Sequence, residues 1–253
     1  MDPLVTEAIV LHAFDYLETS RIIRLMTREA GVQSVLARGA RGSKKRFGSA
    51  MDLFAQGSVE IHMRPNRELQ ALGSFDVTRA RPQLATDVGR FTAGSMIAEL
   101  ALRWSSDEQS PGLFDAVELA LDKVAAAPED ESVDAALAGA WHIIATLGFT
   151  PALDVCANCH TDLDPKAKVV FSHTAGGALC VKCGALAAGS RTLPPSARNA
   201  MREWTSGGSA RVIDPAEARA HQRLLREFFL EHLGGEKELR AYRVWEHGAW
   251  TAA

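Results

Sequence analysis

Over the first 80 positions, polar and apolar residues alternate in short runs. LVTEAIVLH (4–12), SRIIRLMT (20–27) and VQSVLAR (32–38) mix β-branched and polar residues over strand-like lengths. Between the second and third, Glu29-Ala30-Gly31 predicts a hairpin turn in which Gly31 takes a positive φ. Two further runs, LFAQGSVEIHMR (53–64) and ELQALGSFDVTRA (68–80), are joined by Pro65-Asn66-Arg67. In the first of these, Val59, Ile61 and Met63 alternate with Glu60, His62 and Arg64, which predicts one buried and one wet face. Five antiparallel strands with no long helix between them suit a small closed barrel.

From Thr86 the period changes. Phe91, Met96, Ile97, Leu100, Ala101 and Trp104 recur at helical spacing, and Thr86-Asp87 can cap the start. Further amphipathic helices are predicted over 113–124 (after Pro111-Gly112), 132–147 (ending at Gly148), 195–204 and 215–233 (stopping at Gly234-Gly235). The pattern gives an α+β chain: a β-barrel domain over 1–82 and a helical domain over 83–253, with a cysteine module inserted at about 153–190.

The totals narrow the class. The 253 residues allow one large domain or two to three small ones, and 47% hydrophobic with 23% charged residues excludes global disorder. No apolar run reaches the roughly 18 residues of a membrane span. The opening MDPLVTEAIVLHAFDYLE is acidic and lacks a secretory pattern, so a cytoplasmic protein without membrane attachment is expected. The net charge of −3 conceals a basic front, 12 Lys and Arg against 9 Asp and Glu over 1–82, and an acidic remainder, 16 against 22.

All four cysteines form one array, Cys156-x2-Cys159 and Cys180-x2-Cys183, with twenty residues between the pairs. Each pair puts two thiolates on one side of a tight turn, and two facing turns make a tetrahedral S4 site for one structural zinc ion. A pair of disulfides is the other reading, disfavoured without a secretion signal. Four thiolates close the shell, so a catalytic metal is not expected, and neither His160 nor His173 is needed as a ligand.

The segment RGARGSKKRFGS (38–49) concentrates Arg38, Arg41, Lys44, Lys45 and Arg46 among glycines and serines. It lacks the Gly-Lys-Ser/Thr of a phosphate-binding P-loop. Two readings remain: a grip on a polynucleotide backbone, where cations release condensed counterions, or a solvated linker. Arg21, Arg24 and Arg64 on neighbouring strands extend the basic set, although Arg21 and Arg24 fall on opposite faces of a regular strand. No nucleophile–base pair, paired carboxylates or dinucleotide fingerprint nominates an active site.

Taken in order, these features resemble the bacterial recombination mediator RecO family. The similarity runs through IVLHAFDYLETSRIIRLMTREAGVQSVLARGARGSKKRFGSAMDLFAQGSVEI, with Tyr16, Glu18, Ser20 and Arg21, the TREAG segment and the basic loop. It continues through LGFTPALDVCANC and HTAGGALCVKCG. The family commonly has glycine after the second cysteine, where this chain has His160.

The resemblance implies a non-enzymatic DNA-repair factor with an OB-fold barrel, a helical domain and a zinc module. Such a protein binds single- and double-stranded DNA and anneals complementary strands. With RecR it helps load RecA onto strands coated by the single-strand DNA-binding protein, whose acidic C-terminal tail it also binds. A nucleoid-associated cytoplasmic protein follows. The alternative class is a zinc-ribbon nucleic-acid-binding factor of transcription or translation. Lys166, Lys168 and Lys182 against Asp162 and Asp164 leave such a ribbon only weakly basic.

Overall fold

Five strands open the chain: β1 (Leu4–Tyr16), β2 (Ser20–Thr27), β3 (Gly31–Ala37), β4 (Gln56–His62) and β5 (Leu69–Arg79). They close into a barrel in the order β1-β2-β3-β5-β4, with β4 pairing back onto β1, an OB-like arrangement. The computed structural model describes residues 3–40, 52–105, 108–212, 214–233 and 239–248. It divides into two compact units, Met1–Ala126 and Ala127–Ala253.

One expectation is corrected. The strands are not all antiparallel, because β3 and β5 run parallel over Ser34–Leu36 and Leu69–Ala71. Directions that alternate around a ring cannot close on an odd number of strands, so a five-stranded barrel must contain a parallel pair. Its interior is filled by residues such as Ile23, Leu25, Val35, Val59, Ile61 and Phe75. Gly31 turns the β2–β3 hairpin at φ +58, with the Thr27 hydroxyl donating to its carbonyl at 2.8 Å. Gly57 has no substitute: a Cβ there would lie 2.0 Å from the Asp76 carbonyl oxygen, where β4 shifts register against β5.

The first unit is completed by a 3-10 turn (Pro82–Ala85) and by helices α1 (Val88–Trp104) and α2 (Pro111–Ala126). Asp87 caps α1 by accepting from the Arg90 N–H at 2.8 Å. Helix α2 begins at Pro111 itself rather than after Gly112, since a proline in the first turn gives up an N–H that would have no helical partner.

The second unit contains a 3-10 turn (Glu129–Glu131) and helices α3 (Ser132–Thr146), α4 (Val181–Gly184), α5 (Pro195–Thr205), α6 (Pro215–His232) and α7 (Arg240–His247). Strands β6 (Val169–Ser172), β7 (Gly177–Leu179) and β8 (Arg191–Leu193) make a small sheet in the order β7-β6-β8. The rings of Trp141, Phe171 and Phe228 meet in its core, with centroids 5.3 and 6.1 Å apart along that chain of contacts. Among the described residues, no helix is long and apolar enough to cross a membrane.

Candidate functional site

The arginines of the first unit fall into two groups. Arg28, Arg79 and Arg81 are neutralised: Arg28 binds Glu7 at 3.0 Å and Asp115 at 2.6 Å, Arg79 binds Glu118 at 2.9 Å, and buried Arg81 binds Asp122 at 2.6 Å. Arg28 also lies 4.3 Å over the Phe114 ring. These cations stitch the barrel to α2, and their charge is satisfied internally. Among the described residues, no carboxylate pairs with Arg24, Arg38, Arg64 or Arg67.

Three of the unpaired arginines share one place. A groove of about 590 Å³ on the barrel is lined by Arg38 after β3, by Arg64 and Arg67 in the β4–β5 connection, and by His62, Glu68 and Leu36. The connection is held in shape from below. Asn66 takes φ +62, and the buried Gln70 side chain accepts from the Arg64 N–H at 2.7 Å while donating to the Arg67 carbonyl at 2.6 Å. In OB-type barrels, this connection and the β2–β3 face are where oligonucleotides are held.

The other nominated residues are placed differently. Arg21 is bound to Asp15 at 3.0 Å, directly across the hairpin, so its charge is already answered. Arg24 sits on the outer face of β2, opposite His12 and Ser34. Arg41, Lys44, Lys45 and Arg46 lie outside the described residues.

The four cysteines converge in the second unit, with the sulfur atoms of Cys156, Cys159, Cys180 and Cys183 all within 4.8 Å of one another. The Cys159 and Cys180 sulfurs are 3.7 Å apart. Four ligands at a Zn–S length of about 2.3 Å around one tetrahedral ion require roughly 3.8 Å between sulfurs, so the donor set and its spacing fit a metal ion. Two knuckles present the thiols. In the first, the His160 N–H donates to the Cys156 carbonyl at 2.9 Å and His160 takes φ +57. In the second, the Gly184 N–H donates to the Cys180 carbonyl at 2.8 Å.

The module is locked by close backbone contacts. A Cβ at Gly177 would lie 2.3 Å from the Ala152 oxygen, where Ala178 N–H donates to the Ala152 carbonyl at 2.7 Å. From α5, buried Arg198 donates to the Asp164 carbonyl at 2.5 Å.

Charge in the cluster is shared unequally. Burial opposes a thiolate at Cys156, yet N–H groups of Cys180, Cys159 and Asn158 outweigh it and bring that thiol down to about 6. Contacts with Cys180 and Cys159 push Cys183 up to about 12. A cation bound among them would release the retained protons, as thiolate ligation requires. His173 is not part of the cluster; its ring nitrogen meets the Leu224 carbonyl at 3.2 Å and its ring packs edge-on against Phe171.

Residues 1–81 match the family model described as Recombination protein O N terminal, and residues 85–241 match Recombination protein O C terminal. The chain belongs to the RecO family. Proteins named DNA repair protein RecO from Anaeromyxobacter sp. (strain K) and Anaeromyxobacter dehalogenans (strain 2CP-C) are 34% and 35% identical to it over 250 residues, covering 96% of each chain. The namesake from Desulfatibacillum aliphaticivorans is 28% identical over 253 residues, covering 95% of this chain and 96% of that one. RecO is a DNA-repair family; its N-terminal model spans the barrel of this chain, and its C-terminal model spans the stretch that contains the four cysteines.

Sequence reasoning on this RecO chain passed over Arg67, His62 and Gln70. The one sequence signal for Arg67 is its place in Pro65-Asn66-Arg67, the segment that joins two strand-like runs. Nothing in the sequence marked Gln70 as the residue that shapes that turn.

Proposed function

We propose that the chain is a recombination mediator whose barrel, residues 1–82, holds the phosphate backbone of single- and double-stranded DNA and brings complementary strands together for annealing. The observation that carries this reading is the segregation of the arginines. Those facing α2 are matched by carboxylates, while Arg38, Arg64 and Arg67 meet at one open groove in which none of them is ion-paired among the described residues, not even with Glu68 of the groove wall. A cation left unpaired at an OB-type ligand face gains most from a polyanion that sheds its counterions.

Arg41, Lys44, Lys45 and Arg46, which come next in sequence after Arg38, would add further phosphate contacts. Arg24 adds a cation on the outer face of β2, and Arg21 acts by fixing the hairpin against Asp15. Holding two strands at once lowers their mutual repulsion until bases pair. No covalent bond changes, so the function requires no catalytic residue.

The four cysteines would hold one structural zinc ion, since a closed shell of four thiolates keeps no position for a substrate. With RecR, the protein would help load RecA onto strands coated by the single-strand DNA-binding protein. The second unit would receive that protein's acidic tail, at the nucleoid.

The test is strand annealing followed by energy transfer between dye-labelled complementary oligonucleotides. Wild type accelerates pairing at low salt, and Lys44→Glu/Lys45→Glu/Arg46→Glu returns the rate to the spontaneous one. Annealing by this folded variant at the wild-type rate contradicts the role given to the loop, and no acceleration by wild type contradicts the mediator reading.

A further inference from the structure

Leu11 is a bulge in β1. Before it, Val10 faces Leu25 of β2; after it, His12 faces Arg24, Ala13 faces Ile23, Phe14 faces Ile22 and Tyr16 faces Ser20. Opposed residues of an antiparallel pair share a face. Ile23 lies in the barrel core and Ala13 packs against it, so His12, Phe14 and Tyr16 point outward. Without the extra residue, the parity of Ala8 and Val10 would carry these rings into the barrel.

The bulge therefore puts two aromatic side chains on the surface within three positions, Phe14 at 44% and Tyr16 at 40% exposure. The His12 and Phe14 rings are neighbours, with centroids 5.8 Å apart. The apolar strip continues across the sheet, because Phe14 faces Ile22 and Ile22 faces Leu36. Leu36 is also a wall of the groove that holds Arg38, Arg64 and Arg67. Arg24 stands on the same outward face, opposite His12. Of the nearby acids, Asp15 is paired with Arg21, and Glu18 lies in the hairpin turn.

We propose that this outer face of the β1–β2 hairpin is a stacking platform for unpaired nucleic-acid bases, with Phe14 and Tyr16 as its rings. The inference rests on the reading that the arginine groove holds a phosphate backbone, and it names the form of nucleic acid that gains most from the barrel. An exposed aromatic strip running into a cationic groove complements a ligand that is anionic along one side and π-faced along the other. Alternate strand positions stand about 6.7 Å apart, twice the 3.4 Å rise of one duplex strand. Each ring thus takes a base from a stretched strand, whereas a duplex keeps its faces stacked inside. Unstacked bases are the ones ready to pair with a complement.

The full-length protein is titrated with a dye-labelled oligothymidylate and with a duplex of equal length over a range of salt. Phe14→Leu/Tyr16→Leu keeps the apolar strip and removes the rings. It lowers single-strand affinity on the order of tenfold per ring at every salt concentration, and leaves the salt slope and the duplex affinity unchanged. Phe14→Trp/Tyr16→Trp restores single-strand affinity. Single-strand binding by the leucine variant at the wild-type level overturns the proposal and leaves the strip to a protein partner. An equal loss on single strand and duplex overturns it too, since the rings would then act through the fold. If wild type itself binds no strand in a salt-dependent way, the backbone-groove reading fails first and this inference falls with it.

Discussion

Gln70 and Arg64 exchange two hydrogen bonds: the Arg64 N–H donates to the Gln70 side-chain oxygen at 2.7 Å, and the Gln70 amide donates to the Arg64 carbonyl at 3.3 Å. A third bond from the same amide reaches the Arg67 carbonyl. One buried side chain thereby replaces the strand ladder that β4 and β5 lose at their connection, and holds two arginines toward the groove.

Gln70→Ala removes these bonds while leaving every charge in place. Because the backbone groups it frees are partly reached by water, the cost is about 1–2 kcal/mol of stability. Single-strand affinity falls several-fold through loss of arginine positioning. Urea unfolding and a binding titration on the same variant check both; unchanged affinity would mean that the connection needs no support.

His160 carries the knuckle in the left-handed region, where a side chain is strained. His160→Gly is expected to raise the stability of the metal-loaded protein by up to about 1 kcal/mol without changing metal content, whereas His160→Val lowers it. Thermal melts with elemental analysis of the metal decide. A glycine variant that loses metal would make His160 a participant in the site rather than a strained spacer.

The barrel could be read from alternation because one face of each strand is buried, and Val59, Ile61 and Met63 show this directly. Its parallel β3–β5 pair could not, since closure is decided between residues 34–36 and 69–71, far apart in sequence. The cysteine cluster was legible because metal ligation needs a fixed spacing of cysteines. The division of the arginines was not: Arg21 and Arg28 look alike in sequence to Arg38 and Arg64, and only their neighbours across strands distinguish them. Strands β6 to β8 are too short to show a period, and α7 buries only Tyr242 and Trp245, too few positions for a helical stripe. The aromatic face was hidden by a single bulged residue, Leu11, which reverses the parity on which a strand reading depends.

His221 is buried against Trp204, with neither ring nitrogen hydrogen-bonded among the described residues. Burial pulls its pKa down to about 4 from the ordinary 6.5. The unfolded chain therefore takes up a proton between these values and the folded one does not, so stability is full above pH 6.5 and falls as pH drops toward 4. Between pH 7 and 5 the loss amounts to about 2 kcal/mol. Urea unfolding at the two pH values should show this difference in wild type and lack it in His221→Leu; an equal difference in both would assign the acid sensitivity elsewhere.

Removing the metal, by chelation or by Cys156→Ser/Cys180→Ser, should lower the melting temperature of the second unit and leave DNA affinity and salt slope near wild type. The proposed phosphate contacts belong to the first unit. Parallel loss of DNA binding would shift that contact to the cysteine module.

The most direct test of the central claim is the slope of log affinity against log salt for a single-stranded oligonucleotide, compared between wild type and Arg38→Ala/Arg64→Ala/Arg67→Ala. If these arginines neutralise phosphates, the folded variant binds more weakly and its slope is shallower by about 2, close to 0.7 for each lost contact. A variant with the wild-type slope and affinity would contradict the account, leaving the groove without a role in holding the strand.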